Sequence, residues 1–288
     1  MTLIKRIRRQ CLRAGVALAV AFVAGICLPG APAMAEPAGA STDQDAATSE
    51  TAAADALRNR YAALRPQLEQ SPFQRPLHLE SAAGPHAAQG DVFALVDHPL
   101  ASITDSLTNP DNWCDVLLLH PNVKFCRTDS HGELTVLRVA MATKRDQTLE
   151  NALEVEFNCS VAAPLADFTE AELLAAHGPF GTRDYRIALQ AVALENGQTF
   201  LHLQYSFGYG FQARFAMGLY LATAGSDKVG FTMVAPSADR PPRPVRGIRG
   251  AVERNVMRYF LAVEAHVAAL AAPEPERFER SLDLWFDA

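Results

Sequence analysis

Toward the C-terminus, Ile248, Val252, Val256, Tyr259, Val263, Val267 and Leu270 recur at intervals of 4, 4, 3, 4, 4 and 3. This period is that of one face of an α-helix, and a seven-position apolar stripe is long enough to cross a whole sheet. Such a helix draws its stability from packing against an apolar surface, so the rest of the chain has to provide one.

The middle of the chain provides strands. In "LEVEFNCSV" the apolar set Leu153, Val155, Phe157, Cys159 and Val161 alternates with Glu154, Glu156, Asn158 and Ser160. A period of two predicts a half-buried strand with Cys159 on the core face. Asn196-Gly197 lies between two strand-like runs and suits the positive φ of a type I′ turn, which predicts a hairpin. A second hairpin is expected at "DSHGE", joining a strand near Val123 to Arg127 with one near Glu133 to Met141. "GDVFALVDHPLASITDSLTNPDNW" reads as a strand from Asp91 to Val96. A helix entered through Asp97 and Pro99 follows, with Leu100, Ile103 and Leu107 on one face. Residues 211–224 fit helical and strand periods almost equally and are read as helix, and "ERFERSLDLWF" as a terminal helix.

This order of strand, short Pro-entered helix with Trp113 just after it, antiparallel strands and long amphipathic helix resembles the START-like (SRPBCC, helix-grip) lipid-binding superfamily. The likeness is carried by "DVFALVDHPLASITDSLTNPDNW" and "RGIRGAVERNVMRYFLAVEAHVAAL" and covers about residues 90 to 270. The chain is also similar to uncharacterised exported bacterial proteins. The resemblance implies an α+β fold in which a curved antiparallel sheet grips the last helix and leaves an apolar cavity between them.

The N-terminus opens "MTLIKRIRRQCLR", continues through the apolar "AGVALAVAFVAGICL" and closes on "PGAPAMA". A basic region, a short apolar region and an A-x-A site are the parts of a secretory signal peptide, with the cut expected after Ala35. The expected organisation is a signal peptide at 1–35, a disordered linker at 36–50, an N-terminal helix at 51–75 and one α+β domain at 76–288. In that helix Leu57, Tyr61, Leu64 and Leu68 share a face, and Pro66 is expected to kink or end it. Loss of Lys5, Arg6, Arg8, Arg9 and Arg13 would leave 21 basic against 32 acidic side chains, a net charge of −11 with histidine neutral. Such a surface argues against nucleic acid and anionic membranes as general partners, and no further apolar run is long enough for a stable membrane anchor. The expected location is periplasmic or secreted.

In an oxidising compartment Cys114 and Cys126, with eleven residues between them, are read as a disulfide, leaving Cys159 as a buried small hydrophobe. Two other readings stay open. Cys114, His120 and Cys126 form a Cys-x5-His-x5-Cys set that matches no standard zinc spacing. Cys114 as a thiol nucleophile would need a base such as His177, His202 or His266. His98, His131 and His177 sit beside Pro or Gly in expected turns and read as ordinary exposed imidazoles.

With Asn196-Gly197 as a two-residue turn, Ala191 would lie opposite His202, Leu189 opposite Gln204 and Ile187 opposite Ser206. One hairpin face would then mix Ile187, Leu189, Ala191 and Phe200 with the column His202, Gln204 and Ser206, and the other would carry Val192, Leu201, Leu203, Tyr205 and Phe207. An apolar surface with a few convergent polar groups suits a ligand pocket, and a polar column facing water is the competing reading. Arg254 and Arg258 share a helix edge and need anions nearby, from Glu253, Asp283 or a ligand phosphate. The expected function is non-catalytic binding of a hydrophobic small molecule such as a lipid, without cofactor or metal. Met257 and Leu261 would line one wall, Ala191 and the His202, Gln204 and Ser206 column the other, and Arg254 or Arg258 would meet an anionic end. The alternatives are an interaction or scaffold protein with a packed interior, and a hydrolase using Cys114.

Overall fold

The computed structural model describes residues 40–132, 134–142, 148–162, 165–223, 225–235 and 241–288. The expected signal peptide and the first residues of the expected linker lie outside them. In chain order the elements are α1 (Ala40–Glu69), β1 (Leu77–Ala83), β2 (Ala87–Val96), α2 (Leu100–Leu107) and α3 (Pro110–Leu118). Then come β3 (Val123–His131), β4 (Leu134–Met141), β5 (Leu153–Val161), β6 (Phe168–His177), β7 (Thr182–Ala193) and β8 (Thr199–Tyr209). The last are α4 (Phe211–Ala222), β9 (Met233–Val234), β10 (Arg243–Pro244), α5 (Gly247–Ala269) and α6 (Arg277–Asp287).

Among the described residues, β1 to β8 form one antiparallel sheet in the order β1-β2-β8-β7-β6-β5-β4-β3. Its concave face carries Val92 and Ala94 of β2, Leu201, Leu203 and Tyr205 of β8, and Ile187, Leu189 and Ala191 of β7, all buried. Against this face pack α2, α3 and the α5 stripe, where Val252, Val256, Phe260 and Val263 are at most 1% exposed. At about 1.5–3 kcal/mol per large apolar side chain buried, this seam contributes substantially to stability. Contact is closest at Gly90, where an added Cβ would lie 2.9 Å from Val256 Cγ1. Only a residue without a side chain lets α5 approach β2 so closely.

The convex face is covered by α1. Leu57, Leu64 and Leu68 pack on Phe93, Phe168, Val192 and Phe200, and Tyr61 meets the Phe200 ring at 5.1 Å. Arg58 pairs with Asp167 beside β6, and Arg60 with Glu80 of β1. The helix thus spans much of the sheet.

Several expectations are corrected. The helix expected at 51–75 starts at Ala40, inside the expected linker, and ends at Glu69. The linker's small residues include many alanines, the best helix former, and its acids suit the start of a helix. Pro66 does not end α1 at once: the helix runs on to Glu69, because Pro66 sits within the last turn, where its missing N–H costs a single bond. Residues 211–222 are helical, as read. β5 has the expected alternation, with Val155, Phe157 and Cys159 buried.

The β7–β8 register differs by one residue. The connection runs from Leu194 to Gln198, closed by Leu194 N–H to Gln198 O at 2.9 Å and Gly197 N–H to Leu194 O at 3.1 Å. Asn196 Oδ1 accepts from Gln198 N–H at 3.1 Å, an Asx turn that lengthens the loop. His202 therefore pairs with Gln190, Gln204 with Ala188 and Ser206 with Arg186, while Ala191 pairs with Leu201.

Candidate functional site

The one-residue slip divides the expected pocket. Ala191 and Met257 are buried in the concave core, and Leu261 packs against it. His202, Gln204 and Ser206 lie on the convex face, opposite to α5. There His202 Nε2 meets Asp91 at 2.9 Å, and Gln204 and Gln89 donate to Asp91 at 3.0 and 2.9 Å. Burial pushes the Asp91 carboxyl up, but the hydrogen bonds from His202, Gln204 and Gln89 outweigh it and hold the group below its ordinary value. Arg186 links Gln204 to Glu172, and the His202 ring stacks on Phe93 at 4.3 Å. This network satisfies its own polar groups and rigidifies the sheet, and it does not line the space under α5.

A different polar group lies between the concave face and α5. His120, in the turn after α3, stacks on Tyr259 of α5 at 5.0 Å, and Tyr259 meets Tyr205 of β8 at 5.4 Å. Tyr185 of β7 continues the cluster, 6.2 Å from Tyr205 and 5.5 Å from Phe207, and its hydroxyl meets Thr182 Oγ1 at 2.8 Å. His120 Nδ1 accepts from Asn122 N–H at 3.3 Å, so the neutral ring carries its proton on Nε2. Nε2 is buried with no hydrogen bond of ordinary length, while the Asn255 side chain acts on the ring as a hydrogen-bond partner that favours its protonated form. Burial, then the charge of Arg258, lowers the imidazole to about 4, which keeps it neutral at physiological pH. Burial likewise raises the Tyr205 and Tyr259 phenols, so both remain O–H donors. The concave side therefore offers an aromatic wall with one buried N–H lacking a close acceptor and neutral hydroxyls, Tyr205 shared with Asn255 and Tyr185 and Tyr185 with Thr182, a set that can orient a mainly apolar molecule by a polar end.

Among the residues expected at the site, Arg258 is brought near this cluster, close enough to disfavour protonation of His120. Arg254 turns away, donating to the carbonyls of Lys228 and, at 2.9 Å, Val229. Its hydrogen-bond acceptors are neutral backbone oxygens, while the carboxylates of Asp227 and Glu253 act on it through charge alone. Glu253 accepts instead from Ser81 Oγ and from the N–H groups of Phe231 and Thr232 at 2.7 and 2.9 Å.

Cys114 and Cys126 are joined by a disulfide with Cα atoms 5.3 Å apart, tying α3 to β3. With its sulfur bonded, Cys114 cannot act as a thiolate nucleophile, nor can the pair bind metal with His120. Cys159 is free and buried, and burial pushes its thiol up to about 11. Sequence reasoning met His120 only as a metal candidate and placed Tyr205 on a face without a role. The fold unites them, and an aromatic at position 259 within the α5 stripe was the available signal.

Strand order and the long C-terminal helix packed on the sheet give the chain an α+β fold in which one antiparallel sheet grips that helix. No protein-family model and no curated protein matches it. Among solved structures it is similar to human StAR-related lipid transfer protein 5, at 10% identity and a TM-score of 0.40 over 76% of this chain and 99% of that one. It is also similar to Zhui aromatase/cyclase from Streptomyces sp. R1128, at 14% identity and a TM-score of 0.37 over 68% of this chain and 97% of that one. A third similar structure, Ara h 8.0201, has 12% identity and a TM-score of 0.34 over 67% of this chain and 99% of that one.

Proposed function

We propose that this protein binds a hydrophobic small molecule, such as a lipid, between the concave sheet and α5, without chemistry. The observation that carries the reading is the buried, unpartnered His120 Nε2–H set among Tyr205, Tyr259 and Tyr185. An unsatisfied buried donor costs about 1–3 kcal/mol, and a ligand acceptor at that point would recover it. Arg258 nearby favours an anionic end such as a carboxylate. An exported protein is the natural setting for the Cys114–Cys126 disulfide, which supports maturation after Ala35 and a periplasmic or secreted location.

The test is lipid extraction and mass spectrometry of purified protein, with titration of fluorescent fatty acids. His120→Phe and Tyr205→Phe should each weaken binding about tenfold, the loss of one hydrogen bond. His202→Phe, on the convex face, should leave it unchanged. The concave residues Leu189, Ala191 and Leu203 are fully buried, which favours one competitor, a scaffold protein with a packed interior. A wild-type protein that arrives empty and refuses fatty acids would decide for that competitor.

A further inference from the structure

The segment between β8 and α5 presents apolar side chains to water in an order that an ordinary surface helix reverses. On α4, Phe211, Phe215 and Leu219 recur every four residues and therefore share one face, at 83%, 67% and 58% exposure. Gly218 on the same side has open space around it. Ala213 is buried and Met217 packs against the core, so α4 is docked by its smaller residues with the larger apolar ones turned outward. Arg214 is its single charged residue. The turn before β7, which α4 touches, adds Phe180, 65% exposed and held at φ 58, a left-handed backbone unfavourable for a bulky side chain.

This surface is anchored rather than loose. Lys228 Nζ donates to Tyr220 Oη at the end of α4 at 2.6 Å. Arg254 then holds the carbonyls of Lys228 and Val229, and the fully buried Glu253 holds the N–H groups of Phe231 and Thr232. Phe231, Met233 and Val234 just beyond are exposed as well. The charge around the segment also differs from that of the chain. The whole chain is at −6, yet the described residues from Gly210 to Arg246 carry Arg214, Lys228, Arg243 and Arg246 against Asp227 alone.

We propose that α4, with Phe180 beside it, is a membrane-docking element that lays Phe211, Phe215 and Leu219 into the interface of an anionic bilayer. A helix with Phe and Leu outermost, Arg214 on it and Lys228 at its end matches the acyl boundary below and the phosphates above. A second copy of this face would set basic residues against basic residues. The anionic bilayer does not, so charge selects it over self-association. The overall acidity of the chain, which repels such a surface elsewhere, orients it with this patch inward. The proposal does not depend on an interior ligand, and its test reads neither lipid extraction nor fatty-acid binding.

The experiment uses the full chain with vesicles of phosphatidylcholine alone or with about one third phosphatidylglycerol. The indole introduced by Phe215→Trp should be quenched by brominated acyl chains in the anionic vesicles, whereas one introduced by Phe286→Trp on α6 should not. F211S/F215S/L219S should lower partitioning onto anionic vesicles at least about tenfold with an unchanged melting temperature, since all three side chains are exposed. Arg214→Glu should cost about fivefold on anionic vesicles and little on phosphatidylcholine. An unquenched indole at position 215, or a triple variant that partitions like wild type, overturns the proposal. So does a wild-type dimer that binds no vesicles and becomes monomeric in the triple variant, which assigns the face to a second copy.

Discussion

His120 and His266 make the stability of this protein depend on pH in a direction the structure dictates. Both are buried, with Nε2 lacking a hydrogen-bond partner. Burial lowers each imidazole from 6.5 to about 4, with the charge of Arg258 adding to the effect at His120 and that of Arg277 at His266. Because the folded value lies below the unfolded one, the unfolded chain takes up the proton first as pH falls. The stability gained by keeping each ring neutral is complete above about pH 6.5 and is lost progressively between pH 6.5 and 4. At about 1.4 kcal/mol per pKa unit the gap amounts to about 3 kcal/mol for each ring, a large part of the 5–15 kcal/mol typical of a domain. His120→Phe keeps a ring against Tyr259 and removes one of the two protons. At pH 7.5 the acceptor lost by Asn122 N–H and the relief of the unpartnered Nε2–H oppose each other and should leave stability within about 1 kcal/mol of wild type, and the decline should then flatten. Urea denaturation at intervals from pH 7.5 to 4.5 measures both curves, and the carboxylates common to them cancel in the difference. If the difference between variant and wild type stays constant across that range, His120 is protonated in the folded state and the reasoning is wrong.

Replacing Cys114 and Cys126 by serine should lower stability by about 3 kcal/mol through the freed loop, read as the gap between denaturation midpoints of wild type and variant without reductant. Glu253→Ala strands two backbone N–H groups and the Ser81 hydroxyl, so a loss of about 3–5 kcal/mol is expected in thermal or chemical melts. A midpoint within error of wild type would contradict its anchoring role. Leu64→Ala, in the contact between α1 and the convex face, should cost about 2–5 kcal/mol, whereas an effect below about 0.5 kcal/mol would mean that α1 does not stay on the sheet.

How far the sequence could be read depends on how many faces an element buries. α5 has one long stripe, and its period gave the helix and the gripped architecture. β8 alternates cleanly, so the separation of Leu201, Leu203 and Tyr205 from His202, Gln204 and Ser206 was legible. β7 was not, because α2 covers one of its faces and α1 the other, and Ile187, Leu189, Ala188 and Val192 are apolar on both. Without alternation its register rested on the turn alone, and a five-residue loop around Asn196 and Gly197 was mistaken for a two-residue one. The reach of α1 was hidden as well, since its polar, alanine-rich start reads as linker until a sheet exists to receive the rest. The candidate site shares this limit. His120, Tyr205 and Tyr259 come from three distant stretches, and nothing local marks them as neighbours.

The central position of β8 beside β2 has a consequence for how the chain acquires its structure. Asp91 and Gln204, hydrogen-bonded across that seam, are 113 positions apart, and the Arg58–Asp167 contact spans 109. A chain growing from its N-terminus can pair β1 with β2 early, but the other edge of β2 stays bare until β8 has been made. The entropy of closing so long a loop is lost before any contact repays it, which places folding among the slower topologies. Until then Val92 and Phe93 point to opposite sides of an unpaired edge, Phe93 with α1 already made but Val92 still awaiting α5, and the nascent chain is at its most open to association with chaperones or with other copies of itself.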